Sequence, residues 1–252
     1  MLNDLKVSII TVVLNRENVI KSCIESVASQ DYPNVEHVII DGGSQDGTLD
    51  LISPFLGEHV KLVSEQDDGL YDAINKGINL ATGSIVGLLH SDDVFASRHT
   101  VSNVVEEFKK STCSAVYGDV EFFRFVSDGR KVITRRWHAG TYDKAKLDRG
   151  WMPPHTSLFT RRSVYQELGD FNTSYEISAD YDFVLRMLVN NYKMNYLPTV
   201  LVQMGVGGKS TESFRNQITK FIEDFRVIRS NNVGSLGTVI LKRLRKFNQY
   251  FG

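Results

Sequence analysis

Cysteine is nearly absent from the chain: Cys23 and Cys113 are the two in 252 residues, far apart and outside any CxxC or Cys/His cluster. That leaves no disulfide framework and no zinc site to build, and it suits a reducing compartment in which both act as small apolar residues. An excess of one charge sign is also missing, since 29 Lys+Arg stand against 30 Asp+Glu and the net charge is −1. A general nucleic-acid binder would carry a strongly basic balance, so that class is set aside. Long hydrophobic runs do not occur either. Val7–Leu14, preceded by Asp4 and Lys6, is too short to span a bilayer and has neither a basic leader nor a small-residue cleavage site. It is expected to be a first buried strand. What is present is a chain 42% hydrophobic, long enough for one large α/β domain or two small ones without metal or disulfide staples.

From Val7 to about residue 90, short Val/Ile/Leu runs alternate with segments of helical period. Strands are expected at Val7–Leu14, Val35–Ile40, Val60–Ser64 and Ile85–His90. Helices are expected at Glu17–Ser29, with Ile20, Ile24 and Val27 on one face, and at Leu70–Ala81, with Ile74 and Ile78 on one face. Strands apolar on both faces and joined by helical crossovers imply a mainly parallel, doubly covered, Rossmann-like sheet. Such sheets bind ligands beyond the carboxyl ends of their strands. There the chain places Asn15-Arg16, Asp41-Gly42-Gly43-Ser44, Glu65 to Gly69, and Ser91-Asp92-Asp93. An ordinary turn accounts for any one of these clusters. Core packing does not require four of them at successive strand ends.

After residue 110 the rhythm changes. Ala115–Val126 and Lys131–Trp137, joined by Ser127-Asp128-Gly129-Arg130, read as a β-hairpin. Thr141–Pro154 reads as a loop, Ser157–Thr160 as a strand, and Ser163–Leu168 and a segment from Asp180 through Leu188 as helices. No internal repeat or low-complexity linker marks a boundary.

Three familiar motifs fail. In Gly207-Gly208-Lys209-Ser210 the first glycine of a phosphate loop would fall at Gln203; the 41–47 segment lacks an oxygen side chain at the third position of a calcium loop; and no GxGxxG follows the first strand. Ser91-Asp92-Asp93 is more informative. Adjacent carboxylates repel, and a hard divalent cation bridging to a diphosphate would relieve that repulsion, although Asp could equally cap a helix over Ser97–Lys110.

Taken in order, Asp-Gly-Gly-Ser-Gln-Asp-Gly-Thr at 41–48, Asp-Asp-Gly-Leu-Tyr-Asp-Ala-Ile-Asn-Lys-Gly at 67–77, Ala-Thr-Gly at 81–83 and Ser-Asp-Asp at 91–93 resemble the donor half of family 2 glycosyltransferases of GT-A fold. Pro154-His155-Thr156-Ser157-Leu158-Phe159, Leu168-Gly169-Asp170-Phe171-Asn172 and Ser178-Ala179-Asp180-Tyr181-Asp182 resemble the second half. The likeness covers about residues 5–210 and is nearest the non-processive bacterial branch that builds surface polysaccharides such as O-antigen. It implies a GT-A domain over 1–210, with a nucleotide-sugar half at 1–110 and an acceptor half at 111–210, and a helical extension at 211–252.

The resemblance also implies roles. Thr11, Asn15 and Arg16 would lie beside the nucleotide, Asp41 would accept from a base imide such as that of uracil, and Gly43 belongs to the same loop. Asp67, Gly69, Asn75 and Lys76 would contact ribose, diphosphate or sugar. Ser91 would lie at the diphosphate, where Asp93 with Asp92 would hold Mn2+ or Mg2+. The donor would be a nucleoside-diphosphate sugar, UDP first. Asp180 would be the base of an inverting single displacement, with helix capping as its structural alternative and Asp182 as second choice. His155 would face donor or acceptor.

Departures accompany the matches. Ala179 stands where many relatives carry Glu, and His90 where relatives show Asn or Gly; His90 is read first as a satisfied strand-end histidine. No Gln-x-x-Arg-Trp occurs, which sets aside a processive synthase. Trp151 and Tyr71 could stack on a sugar, but core packing is their commoner use. The segment 241–251, with Lys242, Arg243, Arg245 and Lys246 among apolar residues, suits an anionic membrane surface at about 1 kcal/mol per cation, or a helix docked on the core. A cytoplasmic protein, peripheral on the inner face of the membrane and acting on a lipid-linked glycan, is the resulting expectation. The competing readings are a sugar nucleotidyltransferase, which would want a Gly-rich, Arg-containing loop where Asn15-Arg16-Glu17-Asn18 stands, and a silent sugar-nucleotide-binding module.

Overall fold

A computed structural model describes residues 5–126, 129–205 and 214–248. Ser127 and Asp128 of the expected turn, Gly207–Ser210, the 210/211 boundary, Tyr250 and Phe251 lie outside them, as do the side chains of 245–248. In chain order the strands are β1 (Val7–Val13), β2 (Val35–Asp41), β3 (Val60–Ser64), β4 (Ile85–Leu88), β5 (Asp93–Phe95), β6 (Ala115–Phe125), β7 (Lys131–Trp137), β8 (Phe159–Arg161) and β9 (Met194–Gly205). The helices are α1 (Ile20–Ala28), α2 (Thr48–Ile52), α3 (Leu70–Leu80), α4 (Thr100–Lys110), α5 (Arg162–Leu168), α6 (Ala179–Val189), α7 (Phe214–Ser230) and α8 (Leu236–Asn248).

The described strands form one sheet in the order β3-β2-β1-β4-β8-β6-β9-β5, with β7 also paired to β6. β3, β2, β1 and β4 run parallel, while β8 enters antiparallel between β4 and β6. All seven residues of β1 are buried, as a central parallel strand covered on both faces requires. Alternate residues feed two cores: Val7, Ile9 and Val13 pack with Ile20 and Ile24 of α1 and Val104 of α4, whereas Ile10 and Val12 pack with Ile74 and Ile78 of α3. Gly77 lets α3 lie close on the sheet, since a Cβ there would stand 2.4 Å from Ile10 Cγ2. Both cysteines are free and buried.

Several expectations shift. β3 is the sheet edge, half-buried rather than covered on both faces. α4 begins at Thr100, not at 97, because Ser97 Oγ accepts the His99 N–H in a turn. The 141–154 loop contains a 3-10 turn over Lys144–Arg149. β5, β9 and the five-residue α2 were not expected. β9 carries Pro198, and its register against β6 slips there, from Gly118↔Leu197 to Asp119↔Val200. The C-terminal helices dock on the second half of the sheet domain, α7 on α6 and α8 on the 144–149 turn.

Candidate active site

Parallel β1, β2 and β3 end on one edge, and the loops that follow are tied to one another. The Asn15 N–H donates to Ser44 Oγ (2.8 Å), the Gln45 N–H to Asn15 Oδ1 (2.8 Å), and the Arg16 N–H to Thr48 Oγ1 (2.8 Å). Gly42 faces Asp67, whose Oδ2 would lie 3.2 Å from a Cβ added there. Asp41 organises this edge from beneath. Its Oδ2 accepts from the Gly43 and Ser44 N–H groups and from Ser64 Oγ (2.6 Å), and its Oδ1 from Ser44 Oγ. The residue is wholly buried, so a base imide could reach it only by displacing a serine hydroxyl. Thr11 is a correction: its side chain points into the α1 layer, where Oγ1 bonds His37 Nε2 (2.8 Å) and meets Cys23 Sγ, because strand alternation puts it on the face of Ile9 and Val13.

At the β3 end, Lys76 Nζ gathers Asp67 (2.7 Å), Glu65 (2.9 Å) and Asp72 (3.3 Å), and these carboxylates, Asp67 first, hold its pKa above the ordinary lysine value. Gly69 precedes α3 at φ 115°, a backbone shape that a side chain would strain. Asn75 is bonded within the protein. Its amide donates to Phe171 O (2.9 Å) and its Oδ1 accepts the Phe171 N–H (3.0 Å), so both ends of the side chain fasten α3 to the 170–172 loop.

After β4, Ser91 is buried, Asp92 is part-exposed, and Asp93 is 1% exposed in β5. Asp93 Oδ1 accepts the Gly205 N–H (3.2 Å), while its Oδ2 is buried with no hydrogen-bond partner. Burial, then the Asp92 charge, pushes the Asp93 carboxyl well above the ordinary range. Asp92 is therefore the accessible member of the pair, and Asp93 lies under it rather than leading it. Among the described residues no group of three or more His, Cys, Asp or Glu is placed so that it could hold a metal ion by itself. A divalent cation on a diphosphate takes most of its ligands from phosphate and water. Two adjacent carboxyls, one with an orphaned oxygen, are hard donors that fit such an ion.

Asp180 lies in the first turn of α6, where the helix dipole favours a carboxylate. Its Oδ1 accepts the Tyr181 N–H (2.8 Å) and lies 3.4 Å from the Tyr71 hydroxyl, whose proton goes to Ile177 O (2.7 Å), and its Oδ2 lies 3.1 Å from His155 Nδ1. Burial raises the Asp180 pKa, but His155, Lys220, Lys242 and the Tyr181 N–H together hold it below the ordinary value. His155 Nε2 in turn meets His90 Nε2 at 3.2 Å, and burial, then His155, lowers the His90 pKa to about 3. A row Asp180–His155–His90 thus joins α6 to the end of β4. The three residues are too far apart in the chain for their spacing to have signalled it. Asp182 is spent elsewhere, on Arg186 Nε (2.8 Å) and Asn231 Nδ2 (3.0 Å). Trp151 and Tyr71 are core residues, 6% and 8% exposed.

The profile of "Glycosyl transferase family 2" matches residues 8–169. A Mycobacterium bovis protein named "PGL/p-HBAD biosynthesis glycosyltransferase" is 34% identical over 187 residues, 73% of this chain and 70% of that one. The chondroitin synthase of Pasteurella multocida is 28% identical over 88% of this chain but only 23% of its own. Among solved structures, S. aureus TarS 1-349 in complex with UDP-GlcNAc superposes with a TM-score of 0.66 at 17% identity, over 86% of this chain and 65% of that one. The Pyrobaculum calidifontis mannosyltransferase PcManGT in complex with GDP-Man and Mn2+ gives 0.65 at 20% identity, over 88% and 64%. The chain thus spans about two thirds of these solved chains, and the likeness to them is one of fold. The α/β arrangement expected from the sequence is the one observed.

Proposed function

The chain belongs to glycosyl transferase family 2, and from that premise we propose that it moves a single sugar from a nucleoside-diphosphate donor to a hydroxyl of a glycan acceptor, with inversion at the anomeric carbon. UDP is the first nucleotide to test, then GDP and dTDP; the neighbours hold UDP-GlcNAc and GDP-Man. The observation that carries the reading is the Asp180–His155–His90 row, which keeps an ionised carboxylate beside the strand ends. In a single displacement the acceptor oxygen bonds to C1 as the bond from C1 to the diphosphate oxygen breaks, and the electron pair leaves with the diphosphate. Asp180 takes the acceptor proton, a role worth about 10²–10⁴ in rate. His155 and the Tyr181 N–H hold that carboxylate in place, and Asn15, Arg16, Ser44 and Asp67 form the nucleotide edge, with Asp41 shaping the loop beneath. Bound at Asp92, Mg2+ or Mn2+ would supply positive charge to the departing diphosphate.

The acceptor we propose is a lipid-linked glycan of bacterial surface polysaccharide synthesis, met at the cytoplasmic face of the membrane. No described helix is long and apolar enough to cross a membrane. The surface for attachment is not 241–251 as a whole, since Lys242 is buried on Asp224 and Arg243 donates to Gln217 O. It is the outer faces of α7 and α8, where Ile218, Ile222, Ile240 and Leu244 are exposed. Arg226 and Arg229 of α7 are exposed too, and its acidic residues Glu223 and Asp224 are buried. Nucleotide release from a panel of UDP-, GDP- and dTDP-sugars, with and without Mn2+, tests the reading. Release that rises with an added glycan acceptor supports it, pyrophosphate formation favours a nucleotidyltransferase, and binding without turnover a silent module.

A further inference from the structure

Asp180 is delivered by the tripeptide Glu176-Ile177-Ser178, and that tripeptide is held from α7, beyond the segment that carries the family motifs. Glu223 Oε1 accepts the Glu176 N–H (2.7 Å), and its Oε2 accepts the N–H groups of Ile177 (2.8 Å) and Ser178 (2.9 Å). One carboxylate thus takes three consecutive backbone donors, and charge-assisted bonds of this kind are the stronger class. The next residue of α7 extends the grip: Asp224 Oδ1 accepts from Ser178 Oγ (3.0 Å) and from Lys242 Nζ of α8 (2.7 Å). Lys242 Nζ also lies 3.3 Å from the centroid of the Tyr181 ring, one residue past the base. From the opposite side the Tyr71 hydroxyl donates to Ile177 O (2.7 Å). Glu223, Asp224, Ser178 and Lys242 are all buried.

A buried cation and two buried carboxylates on two helices are a costly way to pack an extension, since each must be desolvated and breaking one bond strands its partner. Apolar residues would serve packing alone at least as well. The polar set is, however, aimed at one short segment, the one that fixes where the Asp180 carboxylate stands. Ala179 is fully buried and brings no carboxylate of its own next to the base.

Resting on the assignment of Asp180 as the base, we propose that Glu223 and the Asp224–Lys242 pair are positioning residues for it: the C-terminal helices are a clamp that sets the catalytic carboxylate, not an appendage. A displacement of the base by about 1 Å can cost about 10²-fold in rate. The clamp touches neither the nucleotide edge nor Asp92, so donor binding should not feel it.

The test uses the full chain with Mn2+ and UDP-GlcNAc, or whichever panel sugar releases nucleotide fastest, and compares Glu223→Gln, Lys242→Met, Lys242→Arg and Asp180→Asn. Gln keeps one acceptor but turns an amide toward the third N–H, and Met keeps the apolar stem over Tyr181 without the charge. Expected for both is a fall in kcat of about 30- to 100-fold with UDP affinity unchanged, and recovery of most of it in Lys242→Arg. Far-ultraviolet circular dichroism reports the folded fraction, and if Glu223→Gln does not fold, Lys242→Met carries the test. Wild-type kcat in the clamp variants while Asp180→Asn is inactive would overturn the clamp alone, as would a loss that merely follows the folded fraction or the UDP affinity. Full activity in Asp180→Asn would instead remove the base assignment and the clamp with it.

Discussion

Replacing Asn75 with alanine separates two roles that its motif allows. As a substrate contact it would set donor affinity and leave stability alone; as placed in the structure it does the reverse. Its side chain makes a reciprocal pair of bonds with the Phe171 backbone, at 2.9 and 3.0 Å. Phe171 is 6% exposed, and its ring stacks with Tyr71 and packs on Phe183, so water has little access to the backbone groups that Asn75→Ala would leave unpaired. Each orphaned donor or acceptor costs about 1–3 kcal/mol, giving about 2–6 kcal/mol for the pair. For a domain of this size that is a fall in Tm of about 4–24 °C. Urea unfolding followed by tryptophan fluorescence measures the stability, and calorimetric titration with UDP and Mn2+ measures donor binding. The expected outcome is a lower unfolding midpoint with UDP affinity close to wild type. An unchanged midpoint with lost UDP affinity would refute this placement and return Asn75 to the nucleotide.

His37 makes stability fall with acidification. Burial holds its pKa at about 3 against 6.5 in the unfolded chain, so the folded state stays neutral while the unfolded state takes up a proton. Its contribution is complete above pH 6.5 and is lost progressively toward pH 3, amounting to about 2 kcal/mol by pH 5. Urea midpoints at pH 5 and 7.5 for wild type and His37→Gln check this, and an identical pH slope in the two proteins would contradict it. The outer faces of α7 and α8 should bind anionic vesicles and not neutral ones, and Ile218→Glu with Ile222→Glu should abolish sedimentation with them. Equal binding to both vesicle types would remove the membrane role.

The parallel half of the sheet was legible because Val/Ile runs such as Val7–Val13 and Val35–Asp41 are buried on both faces and leave little alternative. The convergence of four strand ends followed from that topology. Side-chain direction was harder to read. Thr11 sits at the right height on β1, but strand parity turns it into the α1 layer, and Asp93 falls inward for a similar reason, in a three-residue strand too short to announce itself. Asn75 and Asp182 carry motif-like identities, yet both bond to partners far along the chain, in the 170–172 loop and at the end of α7. The amphipathic pattern of 241–247 marked a helix facing two environments without saying that Lys242 is the inward one. The Asp180–His155–His90 row is a product of tertiary docking between β4, the 155–157 turn and α6, and no spacing in the chain encodes it.

Sugar transfer by Asp180→Asn, measured beside UDP binding by the same protein, decides whether Asp180 is the base. Asn keeps the shape of the side chain and can still accept the Tyr181 N–H, but it cannot take a proton from the acceptor. A folded protein with wild-type UDP affinity and a transfer rate lower by about 10²–10⁴ is expected. Transfer near the wild-type rate would contradict the assignment.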